Sequence, residues 1–447
     1  MANDNHYDVV IIGAGPGGYE TAIAAAHTGR RVALVERAEL GGTCLNRGCI
    51  PTKALAASAR TALAVANAAA MGIATSAPTV DMAAVVARKD TVVAGLREGV
   101  ASLLGGVDVI TGEASITPER GVSVDGRILT ADRLIIATGS RPARLNIPGA
   151  ELALTSDEML SLTSLPRRLV IIGGGVIGVE FASIMSAFGS EVTLLEYCPE
   201  ILPPFDAEVA KRLRMAVKRR GIKVETSVGV TGITPAADGS LEVKASARRK
   251  DAVYQADVVM MAVGRRPVVP EGTIEAGIEC TGKGIVVDPD TMATSAAGVY
   301  AIGDVNGLML LAHAATAQGR VALGLEQSMW PVPSAVFSEP EAAMTGLTEA
   351  ECEADGIATV IGRAFFRANG KAVAEAATDG LVKVIVDKAT GQIAGAHIVG
   401  PHAADLIQEL SLAIASGIQA TEVVYAVHAH PTLGETVMAA VRAAVES

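Results

Sequence analysis

One pattern occurs twice in this 447-residue chain and constrains its fold more than any other feature. Val9-Val10-Ile11-Ile12 is a short, fully apolar run of the kind a buried parallel strand carries, and it leads into Gly13-Ala14-Gly15-Pro16-Gly17-Gly18. An alanine-rich helical stretch from Tyr19 to His27 follows, then strand-like Arg31 to Val35, closed by Glu36. The second copy runs from Leu169 to Ile172 through Gly173-Gly174-Gly175-Val176-Ile177-Gly178, helical Val179 to Phe188 and strand-like Glu191 to Leu195, and ends on Glu196. In both copies the acid stands 23 positions after the first glycine.

A lone GxGxxG is a weak signal; strand, glycine loop, helix, strand and terminal acid in order is a strong one. The first glycine (Gly13, Gly173) permits a tight turn, and the second (Gly15, Gly175) lets a pyrophosphate approach the backbone. The third (Gly18, Gly178) lets helix and strand pack closely, with the phosphates at the helix N-terminus. Glu36 and Glu196 are then placed to accept hydrogen bonds from ribose hydroxyls. Two dinucleotides are expected. After Glu196 the next basic residue is Lys211, so nothing nearby neutralises a 2′-phosphate and the second site favours NAD over NADP. Hydride passing between two dinucleotides points to a flavin in the first site.

Composition removes other classes. Aromatics are 3% of the chain and the net charge is −11, which argues against base-stacking platforms and a nucleic-acid partner. The longest uncharged run, Thr61 to Val80, is interrupted by Asn67, Gly72 and Pro78 and is not expected to span a membrane. The N-terminus shows no basic region with a cleavable apolar segment, so a cytoplasmic location is expected.

Five cysteines in so long a chain make no secreted disulfide framework. Two of them, Cys44 and Cys49, lie four residues apart directly after the first nucleotide unit, in GGTCLNRGCIPTK. Pro51 is placed to begin a helix through Ala57, whose positive end, with Arg47 and Lys53, favours a thiolate. Such a pair is read as catalytic. No second Cys/His pair has zinc-ligand spacing, and no metal is expected. Near the C-terminus, His428-Ala429-His430-Pro431-Thr432-Leu433-Gly434-Glu435 sets two histidines beside a carboxylate that can fix a tautomer.

These motifs resemble the pyridine nucleotide-disulfide oxidoreductases, and within them the dihydrolipoyl dehydrogenases, over nearly the whole chain. The resemblance implies an α/β fold of two Rossmann-like domains, for FAD and NAD, plus a C-terminal α/β dimerisation domain. It implies a redox disulfide between Cys44 and Cys49, a base at His430 oriented by Glu435, and a Lys53–Glu180 ion pair beside the flavin. Residues carried over for FAD are Gly13, Gly15, Gly18, Glu36, Gly42, Thr43, Lys53, Ala114, Thr138, Gly139, Asp304 and Ala312. Those for NAD are Gly173, Gly175, Ile177, Gly178, Glu196, Val228 and Gly264. Ala137-Thr138-Gly139-Ser140-Arg141-Pro142 and Met261 to Pro267 resemble the two crossings between the domains, and Asp304 in Tyr300 to Val305 would hold the ribityl chain.

The expected division is an FAD domain over 1–142, an NAD domain over 143–264, a central region over 265–330 completing the FAD domain, and a dimerisation domain over 331–447. A homodimer is implied, in which His430 of one subunit serves the cysteines of the other. The implied substrate is a dihydrolipoyl group on a separate protein of a 2-oxoacid dehydrogenase or glycine cleavage complex. A glutathione-reductase-like enzyme is the alternative, disfavoured by Glu196. Mercuric and large thioredoxin reductases need a C-terminal thiol pair, whereas the last cysteine here is Cys352. A flavoprotein sensor that binds NADH without disulfide turnover has no use for Cys44, Cys49, His430 and Glu435 together.

Overall fold

A computed structural model describes residues 5–247, 250–327 and 329–447. The first copy of the repeat forms the strand His6–Ile12, the helix Pro16–His27 and the strand Val32–Glu36. Both helices of the repeat begin within the glycine loop, earlier than residue patterning suggests. Pro16 can occupy a first-turn position because its missing N–H has no partner to lose there.

His6–Ile12 is the centre of a parallel layer. It pairs with Val32–Glu36 on one side and Arg127–Ile136 on the other, and Asp108–Thr111 extends the first edge. The far edge is Val299–Ala301, which pairs in parallel with Leu134 to Ile136. The first nucleotide unit is thus finished by chain that returns after the second unit. Both faces of this strand are buried: Val9 and Ile11 pack with Ala22, Ala25 and Val100 of the helices Pro16–His27 and Met82–Leu103, and Val10 and Ile12 pack with strand and loop residues such as Val122, Val124 and Ile285.

The second copy builds a separate parallel sheet in the order Lys223–Thr226, Glu191–Glu196, Arg168–Ile172 and Val258–Met261. An antiparallel meander, Val228–Pro235, Leu241–Ala247 and Lys250–Ala256, lies beside it. The two crossings meet as antiparallel strands Ser140–Pro142 and Arg265–Pro267. The remaining chain folds as a five-stranded antiparallel sheet, ordered 334–336, 341–346, 393–400, 381–387 and 359–365, with the helices Ala403–Ala415 and Gly434–Val445 packed on it.

The uncharged run Thr61 to Val80 is divided among the end of the helix Cys49–Ala66, a 3₁₀ turn at Ala68–Met71 and non-helical chain. Among the described residues no helix is long and apolar enough to cross a membrane.

Candidate active site

Both glycine loops are shaped by their first and third glycines. A Cβ on Gly13 would stand 2.5 Å from the Ala137 carbonyl oxygen, and one on Gly18 only 1.8 Å from that of Gly13. The second copy repeats this: Gly173 against Ala262 O at 2.3 Å, Gly178 against Gly173 O at 1.9 Å. The middle glycines differ in kind. Gly175 has no protein atom within 4 Å of where its Cβ would be, and Gly15 has only the Cα of Gly42, at 4.0 Å. Packing requires no glycine there, so the bare backbone is kept for a ligand that approaches it, as a pyrophosphate does. Both cradles fit a dinucleotide.

Each closing acid braces its own loop. Glu36 accepts the Ala14 N–H (2.7 Å) on Oε2 and the Ala38 N–H (2.8 Å) on Oε1. Glu196 accepts those of Gly174 (2.5 Å) and Cys198 (2.6 Å) in the same way. A carboxylate has roughly four acceptor positions, so each retains capacity for ribose hydroxyls. Ala114 opens the strand Ala114–Ile116 next to Glu113, which pairs with Arg37 at 3.0 Å and so lies beside Glu36. In the second unit, Val228 is buried at the head of its strand, Ile177 stands in the first helical turn, and the Gly264 carbonyl accepts the Ala143 N–H at 2.9 Å.

The cysteines sit on two helices. Cys44 lies in the short helix Gly42–Arg47, with Thr43 before it, and Cys49 is the first residue of the helix Cys49–Ala66. The sequence reading began that helix at Pro51; starting it at Cys49 puts the sulfur in the first turn, where the dipole favours an anion. Both are free thiols. They are electrically unequal. The hydrogen bond from Cys44 pulls Cys49 down to about 7, against burial and with help from Lys53, while the same bond and burial push Cys44 far up.

Lys53, one turn further along, reaches Glu180 at 3.0 and 3.1 Å from the second unit's helix Val176–Phe188. Glu180 is buried, and its Oε1 also accepts the Phe337 N–H at 2.9 Å, while the Lys53 ammonium lies 4.2 Å from the centre of the Phe337 ring. Phe337 is absent from the residues that the sequence motifs single out. No local pattern reveals it, because its partners are 157 residues or more away in sequence.

Asp304 lies in the 3₁₀ turn Gly303–Asn306 and accepts the Ser140 hydroxyl at 2.5 Å. Arg265 binds Ser140 through its side chain (2.7 Å) and carbonyl (2.8 Å) and stands 3.8 Å from Asp304. Both crossings therefore converge on Asp304, a role for Ser140 and Arg265 that the sequence reading missed. Thr138 ties the same crossings by donating to Val268 O at 2.5 Å, and Gly139 accepts the Val268 N–H at 2.9 Å. Ala312 begins the helix Ala312–Ala322, which packs against Pro16–His27.

His430 Nδ1 lies 3.0 Å from Glu435 Oε1, and Oε2 accepts the Thr432 N–H at 2.9 Å. The Thr432 bond, then the histidine, hold the Glu435 carboxyl below its ordinary range. His430 is 79% exposed at its side chain, and no hydrogen bond or ion pair among the described residues joins it to Cys44 or Cys49. His428 is committed at both ring nitrogens, to Ala426 O at 2.9 Å and Glu409 at 3.0 Å, a structural role.

Residues 7–319 match the pyridine nucleotide-disulphide oxidoreductase family, and residues 332–441 match its dimerisation domain, which supports a homodimer. A Bacillus subtilis protein named dihydrolipoyl dehydrogenase is 40% identical over 98% of this chain and 97% of its own. One of the same name from Thermus scotoductus is also 40% identical, over 98% and 97%. Among solved structures, the Cu(II) complex of the HOCl-induced flavoprotein disulfide reductase RclA from Escherichia coli superposes with a TM-score of 0.86 at 28% identity, covering 98% of this chain and 99% of that one. Two dinucleotide cradles, a cysteine pair at a helix start and this likeness over nearly the whole length have one reading: the chain belongs to the pyridine nucleotide-disulphide oxidoreductases and works with FAD and NAD(H).

Proposed function

We propose that the protein is a dihydrolipoyl dehydrogenase, oxidising a protein-bound dihydrolipoyl group and reducing NAD⁺. The observation that carries this is the near-full-length similarity to relatives of that name. A divided chain serves the reaction: FAD domain 1–142 completed by 265–330, NAD domain 143–264 and dimerisation domain 331–447.

In the oxidised enzyme Cys44 and Cys49 form a disulfide. His430, its Nδ1 held by Glu435, takes a proton from one substrate thiol at Nε2. The substrate thiolate attacks Cys44, breaking the bond to Cys49, which leaves as a thiolate beside Lys53. The second substrate sulfur then displaces Cys44, releasing the lipoyl disulfide and leaving two electrons on the enzyme dithiol. The family resemblance makes Cys49 the flavin-side sulfur, and the site favours its anion. The first cradle, Ala312 and Asp304 would hold FAD, which when bound would supply a two-electron relay towards the second cradle, where Gly173, Gly175, Gly178 and Glu196 would hold NAD⁺. In balance, dithiol and NAD⁺ give disulfide, NADH and one proton. The family resemblance assigns His430 to the cysteines of the partner subunit, and a side chain 79% exposed in its own chain is free to reach them. A cysteine pair that cycles in this way suits a reducing cytoplasm.

The test is a rate matrix of dihydrolipoamide, glutathione disulfide and other disulfides against NAD(H) and NADP(H). Preference for dihydrolipoamide with NAD⁺ is expected; preference for glutathione disulfide with NADPH overturns the assignment. His430→Ala should remove most dithiol turnover while NADH still reduces the flavin.

A further inference from the structure

Lys383 lies in the strand Leu381–Asp387 of the dimerisation domain with its side chain 2% exposed, and the chemistry above makes no use of it. A buried ammonium is unfavourable unless paired and hydrogen-bonded. Its Nζ donates to Glu349 Oε2 at 2.6 Å within its own domain and to Asp206 Oδ2 at 2.8 Å in the NAD domain. Glu208, itself bound by Arg363 at 2.9 Å, stands 3.9 Å away, and buried His397 is Lys383's partner across the strands.

Asp206 is buried too and caps the helix Ala207–Arg219, accepting N–H bonds from Glu208 (3.0 Å) and Val209 (3.4 Å) on Oδ1. The chain just before it is the loop that leaves Glu196. At the near end of that loop Glu196 accepts the Gly174 N–H. Towards its far end the Leu202 N–H donates to the Gly174 carbonyl at 2.9 Å. Ile201 fills the space above Gly174, its Cγ2 being 3.1 Å from where a Cβ would sit. Gly174 is therefore gripped at both backbone groups by one loop, and the end of that loop is fastened by Lys383.

We infer that Lys383 is a positioning residue for the pyridine nucleotide: through Asp206 and the 197–205 loop it sets Gly174, so that the dimerisation domain holds the NAD cradle in shape. This rests on NAD(H) binding at the second cradle and not on the identity of the dithiol, so calorimetry with no dithiol present tests it separately.

The experiment compares parent, Lys383→Met and Lys383→Met/Asp206→Asn as oxidised, FAD-loaded homodimers titrated with NAD⁺. The double variant leaves no buried charge unpaired, and asparagine keeps the cap, so it guards against misfolding of the single one. An increase in Kd of about tenfold is expected in both, as a misplaced site costs binding without losing a contact. Amide exchange at Gly174 and Leu202 should quicken while that at Ala14 in the FAD cradle stays as in the parent. A Kd within about twofold of the parent in the double variant overturns the inference, as does unchanged exchange at Gly174.

Discussion

The two glycine loops are copies in sequence and near-copies in geometry, yet later chain crowds the first at Gly15 and Gly17 and the second only at Gly174, leaving its middle glycine open. In the first, Gly42 lies against Gly15, so that a Cβ on Gly42 would come within 2.6 Å of the Gly15 Cα, and Ala315 of the helix Ala312–Ala322 crowds Gly17 at 3.0 Å. In the second, no protein atom lies within 4 Å of a Cβ on Gly175, and the place of Gly17 is taken by Ile177, which packs against the core. Even the residue after the first glycine follows its surroundings. Ala14 is tolerated in one copy, whereas Gly174 is hemmed in by Glu196 and Ile201 in the other. A cradle that later chain encloses suits a group that stays; one left open suits a substrate that exchanges.

The largest expected effect comes from the third glycines. Gly18→Ala puts a methyl group into the Gly13 carbonyl and should destabilise the FAD domain by about 3 kcal/mol or more, read as lost flavin absorbance per chain. Gly178→Ala has the same clash but should abolish NAD⁺ binding with FAD retained; loss of FAD as well would break the comparison.

Next is enclosure. Gly17→Ile should push the Ala312–Ala322 helix away at about 1–3 kcal/mol and make FAD separable on gel filtration. The open copy predicts less. Gly175→Ala should change stability by no more than about 0.5 kcal/mol, yet weaken NAD⁺ by about tenfold in calorimetry.

The smallest effect sharpens the chemistry beside the closed cradle. Cys49 ionises at about 7, below an ordinary thiol, so the thiolate of the reduced enzyme grows as pH rises through 7 and is lost below it. Lys53 favours that anion, so Lys53→Met should move the midpoint, followed by thiolate absorbance, upward by about one unit.

Much of this was legible in the residues. The strand–loop–helix–strand repeat is local, and its periods and glycines are set within thirty residues, so the elements fall close to their expected places. The Cys44–Cys49 spacing and the His430–Glu435 separation are also local, and these pairs stand at helix starts where short-range geometry brings them together. Lys53 and Glu180 were paired only through family resemblance. Phe337, Ser140 and Arg265 were missed because each acts on a group more than a hundred residues away, and no composition or period encodes that distance.

The sequence by itself thus determined that there are two glycine-loop nucleotide units, a close cysteine pair and two histidines beside a carboxylate, because those depend on residue type and short spacing. Only the tertiary structure decided where later chain crowds each cradle, what grips Asp304 and Glu180, and that buried Lys383 of the last domain pairs with Asp206. Those outcomes depend on which distant elements pack together, since a glycine loop closes only when another part of the chain is laid across it.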